Sequence, residues 1–297
     1  MFSINNFPNT YFNEAISLSK FKRKTNFIQQ LISSFHDYDN LYFVSKYYDG
    51  FMMDYLNYDW NENQIRFFSA CLIESFRELR NKGLIHRDVH LANLVLDENQ
   101  YINLIDFHIA IEYKNKDNPK ENFVGSPQFC APEMIKGLNY DYNSDYYRLG
   151  GMLYFILFKV TPNEIKNNKN ITNVSIAFNE TLNYSYSFID FINKLIVDDN
   201  KKRIGFHDID ELKKHEFFKD FEWEKFYERK IKSPFSKIER KKSELCNKKF
   251  KYKKRSFIKS SLLKNKTFKN IFISYDNINE YMSHKIFRKF IFNNFHL

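Results

Sequence analysis

Between Leu84 and Ala110 the chain reads LIHRDVHLANLVLDENQYINLIDFHIA, and three oxygen-bearing side chains stand out in it: Asp88, Asn93 and Asp106. Asn93 follows Asp88 by five residues, and two apolar runs, Leu94-Val95-Leu96 and Ile102-Asn103-Leu104-Ile105, separate it from Asp106. Short apolar runs parted by Asp97-Glu98-Asn99 predict two strands joined by a turn. That fold-back brings Asp106 beside Asp88 and Asn93. Two carboxylates and an amide oxygen converging on one point suit a divalent cation and a nucleoside triphosphate.

Other elements must hold this stretch in place. Asn61 to Lys82 is the clearest helix, with Ile65, Phe68, Cys71 or Leu72, Phe76 and Leu79 at spacings of three and four. Asn61 or Asn63 is placed to cap it, Gly83 to stop it, and it delivers the chain to Asp88. Upstream, Thr10 to Lys24 reads as a helix opened by Pro8-Asn9-Thr10. Phe27 to Phe35 and Asn40 to Tyr47 read as strands, and Asp49-Gly50 breaks the pattern as a hinge would. Downstream, Glu112 to Asn122 is polar. Asn143-Ser144 is expected to cap a helix running from Asp145 to Phe158. Ser187 to Val197 and Ile209 to Phe218 are two further helices. There is no internal repeat.

Composition narrows the class. With 297 residues, 43% hydrophobic and 28% charged, the chain is globular and long enough for one large core or two lobes. The abundance of Phe (33) and Tyr (20) reads as compositional drift. No apolar run reaches the roughly 18–20 residues of a membrane span, and the N-terminus lacks a signal-peptide pattern. Cys71, Cys130 and Cys246 are odd in number and scattered, which fits a reduced cytoplasmic or nuclear location and neither a disulfide framework nor a zinc site. The net charge of +10 is unevenly spread: residues 221–297 hold 21 Lys+Arg against 7 Asp+Glu, and the first 220 hold 25 against 29. A basic tail of this kind packs on its own lobes or meets an acidic partner. Nucleic acid is not the expected partner.

Taken in order, the motifs are His86-Arg87-Asp88 with Asn93, Asp106-Phe107, Ala131-Pro132-Glu133, the Asp145 to Gly150 pattern, and Arg203. In that order and spacing the chain resembles a eukaryotic protein kinase. Residues 201–235 resemble the lobe end and the start of the tail in the AGC group, to which the cAMP-dependent protein kinases belong, and Gly125-Ser126-Pro127 with Ala131-Pro132-Glu133 is similar to the same group. The resemblance covers roughly residues 10–235 and implies an α+β, bilobal fold with a mostly helical C-lobe and an incomplete N-lobe. Its divisions would be 1–47 (partial N-lobe), 48–220 (C-lobe) and 221–297 (AGC-type tail). Phe268 to Tyr275 faintly resembles the group's C-terminal hydrophobic motif.

The resemblance implies serine/threonine phosphotransfer to a protein substrate from ATP with Mg2+. Asp88 would take or orient the substrate proton, and Asn93 and Asp106 would bind metal. His90 joins Asp88 as an expected catalytic residue, and Lys46 and Tyr48, just before the Asp49-Gly50 hinge, join Asn93 and Asp106 in binding the cofactor. Ser126 takes the place of the hydroxyl residue that contacts the catalytic aspartate. Glu133 should pair with Arg203, and Asp145 should accept hydrogen bonds from the catalytic-loop backbone. Arg87 would anchor a phosphorylated activation segment. His86, Phe107, Leu18 and Leu31 align with the hydrophobic spine linking the lobes.

Several positions depart from the family pattern. Residues 1–13, ahead of Glu14, which resembles the family's regulatory-helix glutamate, contain neither glycine nor lysine, so the phosphate-covering loop and its lysine are missing from this stretch. His108 replaces the glycine of the metal-binding triplet, and His90 replaces a lysine that contacts the γ-phosphate. A histidine carries only part of a positive charge near neutral pH. Asn122 occupies the usual phosphosite, and Met52 and Ala92 stand where the cAMP-dependent enzymes carry acidic residues that read basic substrates. These departures motivate an alternative, a pseudokinase scaffold without efficient transfer. A third reading rests on the pattern His86, Asp88, His90 and Asn93, which also occurs in small-molecule phosphotransferases. Those enzymes lack the 131–133, 145–150 and 201–235 features.

Overall fold

A computed structural model describes residues 9–21, 25–36, 41–48, 50–56, 58–113, 124–169, 174–178, 183–237 and 273–274. Around the central stretch, three small sheets and a set of helices are laid out by where apolar side chains recur. Helix α1 spans Asn9–Ser19 and buries Ala15 and Leu18. It ends short of the predicted Lys24. The Ser19 hydroxyl turns back onto the Ile16 carbonyl at 2.7 Å, and tight bonds from Lys20 and Phe21 close the last turn.

Strands β1 (Leu31–His36) and β2 (Leu41–Ser45) form an antiparallel hairpin, with His36 opposite Leu41 and an irregularity between Leu31 and Ser33. The strand predicted from Phe27 starts later because residues 27–29 are spent elsewhere: Gln29 N donates to Leu104 O at 2.8 Å, and Leu104 N donates to Phe27 O at 2.9 Å. These bonds tie the small lobe to the large one at the hairpin beside Asp106. Ile273–Ser274 (β8 in chain order) adds a parallel edge to β1. The rest of the 268–275 segment lies outside the described residues.

In the large lobe, β3 (Gly50–Phe51) pairs with β5 (Leu94–Leu96), which pairs with β6 (Ile102–Leu104), all antiparallel; Leu94 faces Leu104 and Leu96 faces Ile102. The turn is locked by Asp97, whose Oδ1 accepts from Asn99 N and Tyr101 N and whose carbonyl accepts from Gln100 N. A second pair, β4 (Leu84–Ile85) with β7 (Ile111–Glu112), closes the base of the stretch.

Helix α2 (Glu62–Asn81) begins at Asn61, not Asn63. The Asn61 side chain accepts from Gln64 N at 3.0 Å, the Gln64 side chain accepts from Asn61 N at 3.0 Å, and Gly83 at φ +65° ends the run. After the short α3 (Pro132–Ile135), helix α4 covers Asn143–Phe158 and is buried almost all round. Its start differs from the predicted Asn143-Ser144 cap. Asp141 takes that part, accepting from Asn143 N at 2.8 Å through its carboxylate and from Ser144 through its carbonyl.

Helix α5 (Pro162–Lys169) precedes α6 (Tyr186–Leu195), which is capped by Ser185. The predicted helix 209–218 is broken into α7 (Asp210–Lys214) and a separate turn at 216–218, because the His215 side chain accepts from Phe217 N at 3.2 Å. Helix α8 (Trp223–Tyr227) opens the tail and packs Phe226 into the core. The main core lies between α2, α4 and α6, with the β3–β5–β6 sheet resting on α2. No helix among the described residues is long and apolar enough to cross a membrane.

Candidate active site

Asp88 sits at the centre, buried, in the loop between β4 and β5. Its Oδ1 accepts from Ser126 N at 2.8 Å, and its Oδ2 lies 3.4 Å from His90 Nε2. The Arg148 guanidinium stands 3.9 Å from Oδ1. Burial opposes ionisation of this carboxyl. The His90 hydrogen bond, the Ser126 amide and the Arg148 charge outweigh it and hold the carboxyl well below the usual range. Asp88 is therefore an anion set up to accept hydrogen bonds.

Asn93 is tied to Asp88: its Nδ2 donates to Asp88 O at 3.0 Å. With the nitrogen spent there, the amide oxygen is the end left to face a cation. Ile105 N donates to Asn93 O at 3.0 Å, so the residue before Asp106 is fastened across the hairpin to Asn93. The hairpin thus fastens the chain just before Asp106 to Asn93, and Asn93 in turn to Asp88.

Two backbone positions here are left-handed although neither is glycine: Arg87 at φ +70° and Asp106 at φ +68°. Such a conformation costs roughly 1–2 kcal/mol per residue. Asp145 offsets the first, its two carboxylate oxygens accepting from His86 N at 2.8 Å and Arg87 N at 3.0 Å. Burial still raises the Asp145 carboxyl to about 6, against those two bonds. His86 is fully buried, with its Nε2 at 3.1 Å from Ile105 O and its Nδ1 accepting from Asp88 N at 3.3 Å. Those partners suit a neutral ring, and burial lowers its pKa to about 4. His86 packs on Phe107 at 4.8 Å, Phe107 touches Phe21, Leu18 is buried, and Leu31 is partly so.

Arg87 donates to Ile109 O at 2.6 Å and to the Tyr140 hydroxyl at 3.0 Å. Asn122 lies outside the described residues. Arg203 grips Glu133 with two parallel bonds, Nη1 to Oε1 at 2.6 Å and Nη2 to Oε2 at 2.9 Å, with both side chains buried. Ser126 meets Asp88 through its backbone N–H. Met52 is in the core and Ala92 is exposed.

Lys46 and Tyr48, expected to bind the cofactor, each have a protein partner, and His108 differs from what the sequence suggests. Lys46 reaches Glu98 at 3.2 Å, and the Tyr48 hydroxyl accepts from Gln30 N at 3.1 Å. The Glu98 turn is the far end of the hairpin from Asn93 and Asp106, so the Lys46 side chain points away from them, whereas Gln30, the partner of Tyr48, follows Gln29, whose side chain accepts from Asp106 N at 3.4 Å. His108 is not among the residues with positive φ, so no glycine is required there. Its Nδ1 instead hydrogen-bonds Asp106 Oδ1. Glu14 has Asp106 and His108 as its charged surroundings. Burial, then the Asp106 charge, raises its carboxyl to about 7. Arg148 was not singled out by sequence. A lone arginine inside the apolar run from Tyr146 to Phe158 is the signal that could have found it.

A protein kinase domain family model matches residues 3–218. The chain is similar to the serine/threonine-protein kinase sgk-1 of Caenorhabditis elegans, 30% identical over 220 residues that cover 71% of this chain and 47% of that protein. It is also similar to protein kinase C-like 1B of the same organism (28% over 224 residues, 71% of this chain, 31% of that protein). A third relative is Sgk1 of Danio rerio (30% over 221 residues, 72% and 51%). The chain thus spans about half or less of the length of these relatives. With the interlobe hairpin, the Asp145 anchor and the Glu133–Arg203 pair in place, it belongs to the eukaryotic protein kinases, in their AGC group.

Proposed function

We propose that the chain transfers the γ-phosphoryl group of ATP to a serine or threonine hydroxyl of a protein substrate. The observation that carries this reading is the setting of Asp88, an anion held by the Ser126 amide and by His90, with Asn93 tied to it at 3.0 Å. Asp88 accepts the proton as the substrate oxygen attacks. The bond from that oxygen to the γ-phosphorus forms, the bond from phosphorus to the β-phosphate oxygen breaks, and ADP leaves with the electron pair. His90 keeps Asp88 aimed.

The donor set fits magnesium. Among the described residues no three His, Cys, Asp or Glu side chains form a metal cage. Magnesium characteristically rests on one or two carboxylates and completes its shell with phosphates and water. Asp106 and the Asn93 amide oxygen would hold it, and magnesium bound there supplies charge neutralisation on the phosphates. Lys46 and Tyr48, just before Gly50, would contribute to binding the nucleotide and not the metal, with side chains that reach Glu98 and Gln30.

The test is turnover of Mg-ATP by the purified chain on a Ser/Thr peptide mixture. Asp88→Asn and Asp106→Asn are each expected to lower kcat by at least about a hundredfold. Unchanged turnover in Asp106→Asn would reject the reading. A second reading, a nucleotide-poor scaffold, is favoured by His108, which occupies the Asp106 oxygen that would face the metal. It predicts no thermal shift with Mg-ATP in the wild-type chain and a shift in His108→Gly.

A further inference from the structure

Arg148 is an anomaly among the buried side chains. It is fully buried in the middle of α4, yet its Nε and Nη2 have no hydrogen-bond partner. Its Nη1 makes one long bond, to Ser126 O at 3.4 Å. Asp145, Cys130, His86 and Asp88 all feel its charge. Burying a guanidinium with two unsatisfied nitrogens is costly, and an apolar side chain of similar volume satisfies such a position better. Stability alone therefore argues for methionine at 148.

Its surroundings say what the arginine does instead. Asp88 Oδ1, Ser126 and Arg148 form a closed triangle: Ser126 N donates to Asp88 at 2.8 Å, Arg148 Nη1 donates to Ser126 O, and Arg148 Nη1 stands 3.9 Å from Asp88 Oδ1. Gly125 lies in the same angle. A Cβ there would stand 2.6 Å from Arg87 O, 2.9 Å from Asp88 Oδ1 and 3.0 Å from Arg148 Nη2, and its φ is +87°. Catalytic loop, Gly125-Ser126 turn and α4 converge so closely that only glycine fits between them. A guanidinium is a permanent, planar, forked donor, suited to holding a carbonyl and a carboxylate at once. No such fixed cation comes from position 90, which is histidine.

We propose that Arg148 is a positioning residue, a fixed cation beneath the catalytic loop that seats the Gly125-Ser126 turn against Asp88. The seat holds whether or not the chain is an efficient phosphotransferase. Only its kinetic consequence rests on the function proposed above.

The experiment compares the full chain with Arg148→Met, Arg148→Lys, and Arg148→Met combined with His90→Lys. Amide hydrogen exchange at Ser126, thermal unfolding and steady-state kinetics are read on each. Arg148→Met should keep or raise Tm while Ser126 exchange accelerates at least about tenfold, the loss of one charge-assisted contact. kcat should fall at least about tenfold with KM for ATP held within about twofold, the split expected when the reacting group is misplaced and nucleotide binding is not. Arg148→Lys and the His90→Lys combination should each recover part of the protection and of kcat. Ser126 exchange unchanged in Arg148→Met overturns the proposal, as does faster exchange across the whole chain with a lowered Tm. Should Arg148→Met fail to fold, Arg148→Gln takes its place, and unchanged Ser126 exchange with unchanged kcat in that uncharged variant overturns it equally. A wild-type chain without turnover rejects the phosphotransfer reading and leaves the exchange result to decide the seat.

Discussion

At the scale of single residues, the site shows how burial and partners divide one chemistry among similar groups. Asp88, Asp106 and Asp145 are all aspartates in or beside the same loop region. Asp88 is ionised by donors aimed at it, Asp145 spends both oxygens on the backbone, and Asp106 is half exposed and meets His108. Titration should expose two neighbours of opposite sign. His86 has a folded pKa of about 4, below its ordinary 6.5. It binds fewer protons folded than unfolded, so its contribution is whole above 6.5 and is lost as pH falls toward 4. Glu14 is raised from 4.5 to about 7, so its contribution is whole below 4.5 and is lost as pH rises through 7. Urea midpoints measured from pH 4 to pH 7 should therefore fall less steeply on the acid side in His86→Gln than in the wild-type chain. Glu14→Gln should fall less steeply toward neutrality. Parallel curves for a variant and the wild-type chain would contradict the assignment for that residue.

At the scale of elements, α4 is the frame against which the catalytic loop is set. Asp145 holds the loop backbone from its first turn, Arg148 lies beneath Asp88, and Gly150 sets the distance to α6. A Cβ at Gly150 would come within 2.7 Å of both Leu195 Cβ and Ile196 Cγ2. Gly150→Ala must therefore push α6 away or strain its side chains, at a cost of about 1–3 kcal/mol. Denaturant titration should show that loss, and a kcat lowered in step would mean that the α4–α6 spacing reaches the catalytic loop. Ordinary helix gains from alanine predict the opposite sign, which makes the measurement decisive.

At the scale of the whole molecule, the first part of the basic tail belongs to the packed body. Phe226 stacks on Phe27 at 5.4 Å, Tyr101 donates to Ile231 O at 2.6 Å, Ser233 donates to Gln100 O at 2.7 Å, and Arg229 pairs with Asp97. Asn26 reaches the Tyr227 carbonyl at 3.3 Å, so the same segment touches the chain where the lobes join. A chain ended after Asp220 would uncover Phe27, Phe67 and Tyr101 together. It should lose its cooperative thermal transition, and a truncation that melts like the full chain would show these contacts to be incidental. Phe226→Ala in the full chain is the milder form of the test and should cost about 3–5 kcal/mol.

The sequence by itself determined which chemistry-bearing residues exist and which elements carry them. Periodicity located α2, the β5–β6 hairpin and the core of α4, because local spacing decides which face of a helix or strand is apolar. The ordered motifs around Asp88, Asn93 and Asp106 were legible for the same reason: they flank one short hairpin, and the pairing of its strands is local. Helix ends were less legible. Asp141 displaced the expected cap of α4, and Ser19 stopped α1 early, because side chains and backbone compete for the same few unpaired groups at a terminus. Only the tertiary structure decided the long-range partners. Lys46 went to Glu98, His108 took the Asp106 oxygen, and Arg148 came to lie under Asp88 across a gap of 60 residues in sequence. Such pairings depend on how three elements converge in space, and no spacing along the chain encodes that distance.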